Sequence, residues 1–401
     1  FLCSPVAYQD PHYTNMTHMF VRLFTDALNE YAYAAMQAGL NYTLDNTIYG
    51  IVLSIKGYND KQHVLLSKIM DKMTNFTVDQ QRFDILKEAV SHSGHGLAPA
   101  AQDLFSRNSL SAQYIRGLKN FNAEPPHQHA VYYTYMLLAQ KVWSHGEMLE
   151  ATEGESPQLT RDRVQEMIPK LLSRMHLECL IHGNVTRQQA LDLVGIVENS
   201  LQSSMHTKPL LPSELVSHRE HQLLERGEYV FERVNQVHHT SSIQTYFQCG
   251  PQETRANVLV ELLCQLLTEP CYNVLRTQEQ LGYLVASGPR RSNGVQGIRI
   301  IVQSDRPPVF LDSRIEAFLI YIEKYIQDMS PEEFQSNKQA LSARRLEKPK
   351  KLPQLAAKFW MEILSQQYNF DRDRLEVACL ESLTKDDVIA FFKVTTLFTR
   401  I

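Results

Sequence analysis

The sequence predicts an α/β chain, an α+β sandwich occurring as two homologous domains, each a mixed sheet packed with helices. Three observations predict it. One order of elements runs through the chain twice; the helical stretches space their apolar residues by three and four; the strand stretches alternate in polarity. The first copy runs from a helix ending "YAYAAMQAGLNY" into a strand "GIVLSIKG", a helix "LLSKIMDKM" and the helix start "FTVDQQRF". The second runs from "LLCQLLTEPCYNVLRTQEQLGY" into "GIRIIVQS", "FLIYIEKYIQDM" and the helix start "MSPEEF". Aligning the copies matches Leu40 and Tyr42 with Leu281 and Tyr283, and Gly50 with Gly297.

Each element has its own local reason. Leu259, Leu262, Leu263, Leu266 and Leu267 form one helical stripe. In "SSIQTYFQC", Ile243, Thr245 and Phe247 face one way and Gln244, Tyr246 and Gln248 the other. "LTRDRV" (159–164) and "LTKDDV" (383–388) each open a helix, with Thr as N-cap and acids in the first turn. The prolines of "HTKPLLPSELV" (206–216) mark an extended connection. The domains are therefore placed at 1–205 and 221–401, with 206–220 as connector. Two departures distinguish the copies. After its last helix the first copy continues into a strand, "MHLECLIHG"; the second ends at Ile401, so its sheet is expected to be truncated and to expose an edge. Residues 91–113, rich in Gly, Ser and Pro, read as an insertion in the first domain.

Composition bounds the function. The chain has 401 residues, 43% hydrophobic and 21% charged, with a net charge of −4. That balance gives no general drive toward nucleic acid or acidic membranes, and no apolar run approaches the ~20 residues that span a bilayer. The start at Phe1, without a signal-peptide pattern, reads as the middle of a strand and the chain as a fragment. Six scattered cysteines without a CxxC pattern suit free thiols in a reducing compartment, where the sequons at Asn15, Asn41, Asn75 and Asn184 go unused.

The search for chemistry finds no P-loop, G-x-S-x-G, Rossmann, H-E-x-x-H or H-x-x-E-H pattern. "SHREH" (217–221) comes within one residue of the last, with Ser217 where a histidine is required, and "HSGHG" (92–96), "HQH" (127–129) and "HHT" (238–240) read as surface or satisfied core histidines. No metal site is expected. The stretch "LRTQEQLGYLVASGPRRSNGVQGIRIIVQSDRPP" (275–308) carries Arg276 and Tyr283 beside Arg290 and Arg291. These groups could orient a substrate and stabilise an oxyanion, or belong to an ordinary amphipathic hairpin. "RRLEKPKK" (344–351) is either a solvated helix end or an anion-binding patch. Cys264 and Cys271 share a helix face, as packed or as redox-sensitive thiols.

Long irregular motifs carry a resemblance: "NEYAYAAMQAGLNYTLDNTIYGIVLSIKGYNDKQ", "AEPPHQHAVYY", "HTKPLLPSELV", the 275–308 stretch, "RRLEKPKKL" and "SQQYNFDRD". Nearly all of the chain resembles the C-terminal half of the pitrilysin-type inverzincin zinc metalloproteases, the insulin-degrading enzyme family. The resemblance implies four homologous α/β domains in two halves that close a chamber, with this chain as an N-terminally incomplete third domain and a C-terminally incomplete fourth. Zinc is then expected in the missing N-terminal half, which carries H-x-x-E-H, and this substrate-enclosing half alone is expected to be inactive. Arg276 would bind and orient the substrate backbone, and Tyr283 would donate to the carbonyl oxygen as it becomes an oxyanion; a phenol O–H donates without titrating near neutrality. Tyr272 would line the adjoining pocket, where the family is expected to carry phenylalanine. Arg276 aligns with Ala35 and is peculiar to the second copy. Arg344, Lys348, Lys350 and Lys351 would form the family's polyanion site, taking ATP or inositol phosphates. Expected partners are the N-terminal catalytic half, short hormone-like or amyloidogenic peptides, and a second copy in a homodimer, with no nucleic acid and no membrane. The expected compartment is the cytoplasm, with mitochondrial, peroxisomal or extracellular members in the family. The alternative is a non-catalytic peptide-binding or regulatory fragment that pairs with the full enzyme.

Overall fold

Asp10 and Pro11 start the first long helix for clear local reasons. The Asp10 carboxylate accepts from the Tyr13 N–H at 2.8 Å, and Pro11 needs no donor partner at the first helical position. The computed structural model describes residues 1–91, 118, 120–153, 159–224 and 227–401. The candidate insertion 91–113 lies outside these residues apart from Ser91. The chain forms two units: Phe1–Phe121 with Trp143–Val216, and Asn122–Val142 with Ser217–Ile401. The sequence boundary assigns 122–142 to the first domain, whereas its packing is within the second unit.

In the first unit the helix Pro11–Gln37 buries Met16, Met19, Phe20, Leu23 and Phe24. It turns through Gly39, at φ +79°, into a hairpin. The sheet comprises β1 (Leu2–Cys3), β2 (Leu40–Thr47), β3 (Gly50–Gly57), β4 (Arg174–Leu177) and β5 (Lys208–Pro209), in the order β2-β3-β1-β4-β5. The strand expected over "MHLECLIHG" covers only the start of that run. β5 lies inside the stretch read as connector and pairs in parallel with β4. Asn15 is buried, its amide donating to Met148 O at 2.8 Å, so this sequon is structural.

The second unit contains β6 (Gly227–Glu228), β7 (Ser241–Pro251), β8 (Leu284–Ser292), β9 (Val295–Ser304) and β10 (Thr399–Arg400), in the order β6-β10-β7-β9-β8. The expectation of a missing closing strand needs correction: β10 pairs antiparallel with β7 and parallel with β6, so two short strands continue the sheet beyond β7 and β6 forms its edge. Asn293 and Gly294, both at positive φ, make the tight β8–β9 turn. Ile298, Ile300 and Val302 face the core, which the helix Thr254–Cys271 fills with Val258, Leu262, Leu263, Leu266 and Leu267. Each such side chain gains roughly 1.5–3 kcal/mol on burial. With its continuation to Gln278 this helix is long and apolar enough to cross a membrane, contrary to the sequence expectation, but it lies as the core helix of this unit.

The repeat is visible in backbone geometry. Gly50 pairs with Cys3 and Gly297 with Gln248, and a Cβ on either would overlap a carbonyl oxygen of the neighbouring strand, Leu2 O or Phe247 O. Thr160 and Thr384 cap their helices as expected, accepting from Arg163 N–H and Asp387 N–H at 3.3 and 3.2 Å.

Candidate functional site

The site is built where the Thr254–Cys271 helix stops being regular. From Tyr272 to Gln278 the backbone widens into π-type turns, a feature frequent at functional sites. Leu275 and Leu281 are buried and pin both ends of the turn, and the Leu281 N–H donates to Leu275 O at 3.0 Å. Glu279 takes both prongs of the Arg314 guanidinium at 2.7 Å. Gln280 sits at φ +51°, and Gly282 lies so close to the end of β9 that a Cβ would overlap Gln303 O. The chain therefore leaves the helix along one fixed path and delivers Tyr283, 90% exposed, just before β8.

On this frame Arg276, Tyr272 and Tyr283 come together. The Arg276 guanidinium carbon lies 4.7 Å from the Tyr272 ring centroid and 5.0 Å from that of Tyr283. Arg276 also donates to the Tyr272 hydroxyl. Two cation–π contacts, worth about 0.5–1 kcal/mol each at exposed sites, hold the cation between two phenols. The resulting group presents hydrogen-bond donors and a positive charge, and suits a carbonyl or carboxylate oxygen.

Arg290 and Arg291 are not part of this group. Arg290 forks onto Glu220 at 2.8 and 3.1 Å, with side chains 8% and 0% exposed. Arg291 pairs with Glu261 at 2.7 Å. The two pairs thus differ: Arg276 and Tyr283 cluster at the surface, whereas Arg290 and Arg291 are each paired with a glutamate. In the basic run Arg344, Lys348, Lys350 and Lys351 are exposed, and Lys350 meets Glu347 at 3.3 Å. Arg345 points inward and binds Glu261 and Glu376. Cys264 and Cys271 are buried, and burial raises both thiols, Cys271 to about 11, which disfavours the reactive thiolate.

The residues nearest to a zinc motif do not fit a metal. Glu220 is committed to Arg290, and Ser217 stands at the first ligand position. Among the described residues no group of three or more His, Cys, Asp or Glu side chains could hold a metal ion. His127 lies against Gln303 and His238 against Ala123 O, both as local hydrogen bonds, whereas 92–96 lies outside the described residues.

Residues 1–97 match the family model described as the middle or third domain of peptidase M16, and residues 262–360 match the C-terminal lobe domain 4 of PqqF-like PQQ synthase. Over 390 residues the chain is 52% identical to the insulin-degrading enzymes of Bos taurus and Homo sapiens, covering 97% of this chain and 36% of theirs. This chain belongs to the M16 peptidase family. The insulin-degrading enzyme of Drosophila melanogaster is 42% identical, covering 98% of this chain and 37% of that one. The chain spans just over a third of the length of these M16 relatives, and its match to a third and a fourth domain agrees with the C-terminal half. The crystal structure of pitrilysin superposes with a TM-score of 0.81 at 21% identity, covering 100% of this chain and 40% of that one, which shows a common fold.

Two features of this M16 chain escaped the sequence reading. Glu220 and Arg290 lie 70 residues apart, and Arg345 sits inside a run that reads as uniformly solvated. The copy alignment also needs correction. Gly50 pairs with Thr47 and Gly297 with Arg290, so with the glycines held equivalent Tyr42 corresponds to Val285 and not to Tyr283.

Proposed function

We propose that this chain is the substrate-enclosing C-terminal half of a zinc metalloendopeptidase that cleaves short hormone-like and amyloidogenic peptides; the name of its relatives, insulin-degrading enzyme, supports the hormone-like kind. One observation carries the reading: a half-buried guanidinium clasped by two exposed phenols on a turn fixed from both sides. Arg276 orients the peptide backbone, Tyr272 lines its seat, and Tyr283 donates to the carbonyl oxygen as negative charge develops there. The zinc would be held by the other half of the enzyme, which the resemblance expects to carry H-x-x-E-H. The exposed Arg344, Lys348, Lys350 and Lys351 take a polyanion such as ATP or an inositol phosphate, and six unpaired cysteines favour a reducing compartment such as the cytoplasm.

The test mixes this chain with a separately produced half that carries H-x-x-E-H and follows a quenched fluorescent peptide. The chain alone leaves the peptide intact, and mixing restores cleavage. Tyr283→Phe then lowers kcat by ~10²–10³, the usual loss for one oxyanion donor. EDTA-sensitive cleavage by the chain alone would refute the division of labour. Peptide binding without cleavage in the mixture would favour a regulatory fragment instead.

A further inference from the structure

The second unit's sheet turns its apolar residues to the core and leaves an unusually polar opposite face. Strand register places Gly288, Arg299 and Tyr246 in one row across β8, β9 and β7, and Ala286, Ile301 and Gln244 in the next. The helix Pro126–Leu138 packs over β7 and β9 on this face, where His127 Nδ1 lies 2.9 Å from Gln303 Oε1. Beneath it Gln244 is only 9% exposed, and among the described residues neither its amide nitrogen nor its amide oxygen has a partner. Arg299 is half-buried, and among the described residues no carboxylate lies within ion-pair distance of it. Burial, and then the neighbouring Arg290 cation, weaken its hold on its proton. Glu220 already neutralises Arg290, so one positive charge on this face is left over.

A half-buried cation without a counterion and a buried amide without partners are both unfavourable. Gln244 lies diagonally across the β7–β9 pair from Arg299, within reach of long side chains. Space is present as well: a Cβ on Gly288, in the Arg299 row, would meet no atom within 4 Å. A guanidinium fork beside an amide N–H matches two coplanar oxygens. We propose that Arg299 and Gln244, with the open row at Gly288, form a binding site for the carboxylate of a small organic acid. The site does not depend on the peptidase reading, and lies in a different part of the unit's sequence from the basic run 344–351.

The test follows unfolding of the full chain in sodium acetate and in sodium chloride at equal ionic strength, with inorganic phosphate as a third arm. Acetate raises the wild-type midpoint above chloride, and the increment saturates. Gln244→Glu supplies a carboxylate from within, so its midpoint is higher without acetate and its apparent acetate affinity falls by about tenfold or more. Arg299→Gln loses the increment too, whereas Lys350→Ala with Lys351→Ala keeps it. Should Arg299→Gln fail to fold, Gln244→Glu decides alone. Equal acetate increments in the wild type and Gln244→Glu would overturn the site, and a response to phosphate but not to acetate would overturn the ligand class.

Discussion

Replacing Glu220 by alanine is the sharpest test of how "SHREH" is used. The carboxylate is fully buried, and it satisfies both prongs of an Arg290 side chain that is itself 8% exposed. Removal leaves a buried guanidinium without a counterion, beside Arg299, which has none either. Breaking a buried pair from one side costs about 3–5 kcal/mol, whereas replacing both partners by apolar residues is often near neutral. Glu220→Ala should therefore destabilise the second unit by about 3–5 kcal/mol, and Glu220→Leu with Arg290→Met by clearly less. The protein offers a clean readout, since it has two tryptophans, Trp143 in the first unit and Trp360 in the second. In a Trp143→Phe background, urea unfolding followed by fluorescence reports on the second unit. EDTA should leave the wild-type midpoint unchanged. A loss below about 1 kcal/mol, the range of surface pairs, or an EDTA effect that mimics the mutation, would refute the pairing argument.

Other perturbations follow from the same kind of reasoning. Arg345→Ala removes one cation from Glu261, which keeps Arg291, and from the buried Glu376, which keeps Arg372, and should lower stability by about 1.5–3 kcal/mol in the same urea assay. His18 is buried beside Arg22, and burial first, then that cation, lower its pKa from 6.5 to about 4, against a bond from Asn46. The unfolded chain then takes up the proton first, so His18 contributes stability that is present above pH 6.5 and lost as the pH falls through about 4. At ~1.4 kcal/mol per pKa unit the loss is up to roughly 3 kcal/mol, and His18→Gln should remove that part of the pH profile. Cys264 and Cys271 should resist iodoacetamide in the folded protein at neutral pH and react in urea, as mass spectrometry of the labelled peptides would show.

What the sequence made legible was whatever repeats at short range. The stripe Leu259 to Leu267, the alternation of 241–249 and the caps at Thr160 and Thr384 are set by neighbours a few residues apart, and they appear in the structure where they were expected. Periodicity is silent about partners far along the chain. Nothing near Glu220 announces Arg290, and nothing in 122–142 shows that this stretch packs with strands more than a hundred residues later. The run 344–351 was legible only in part for a related reason. A helix end rich in cations is favourable in water, so its composition hides the one arginine that turns inward to two acids.

The two hairpins show how a repeated fold acquires a site in one copy only. In the first unit the chain leaves its long helix at Gln37 and enters β2 at Leu40, a step so short that the strand's opening residue stays buried. In the second unit the residues from Tyr272 to Tyr283 separate the helix from β8, and with Gly50 and Gly297 equivalent Tyr283 takes the position of the buried Leu40. Tyr42 falls instead on Val285, both facing their cores, and burial raises the Tyr42 pKa. A phenol that faces a core is explained by packing, but Tyr283 is 90% exposed at a register position that its sister copy fills with a core leucine. Its exposure is produced by the π-type turn, the Glu279–Arg314 fork and the Gly282 contact acting together. Substituting Gly282 by alanine should therefore displace the phenol and weaken cleavage in the reconstituted enzyme although neither Arg276 nor Tyr283 is itself mutated. Undiminished cleavage by that variant would show that the turn does not position them.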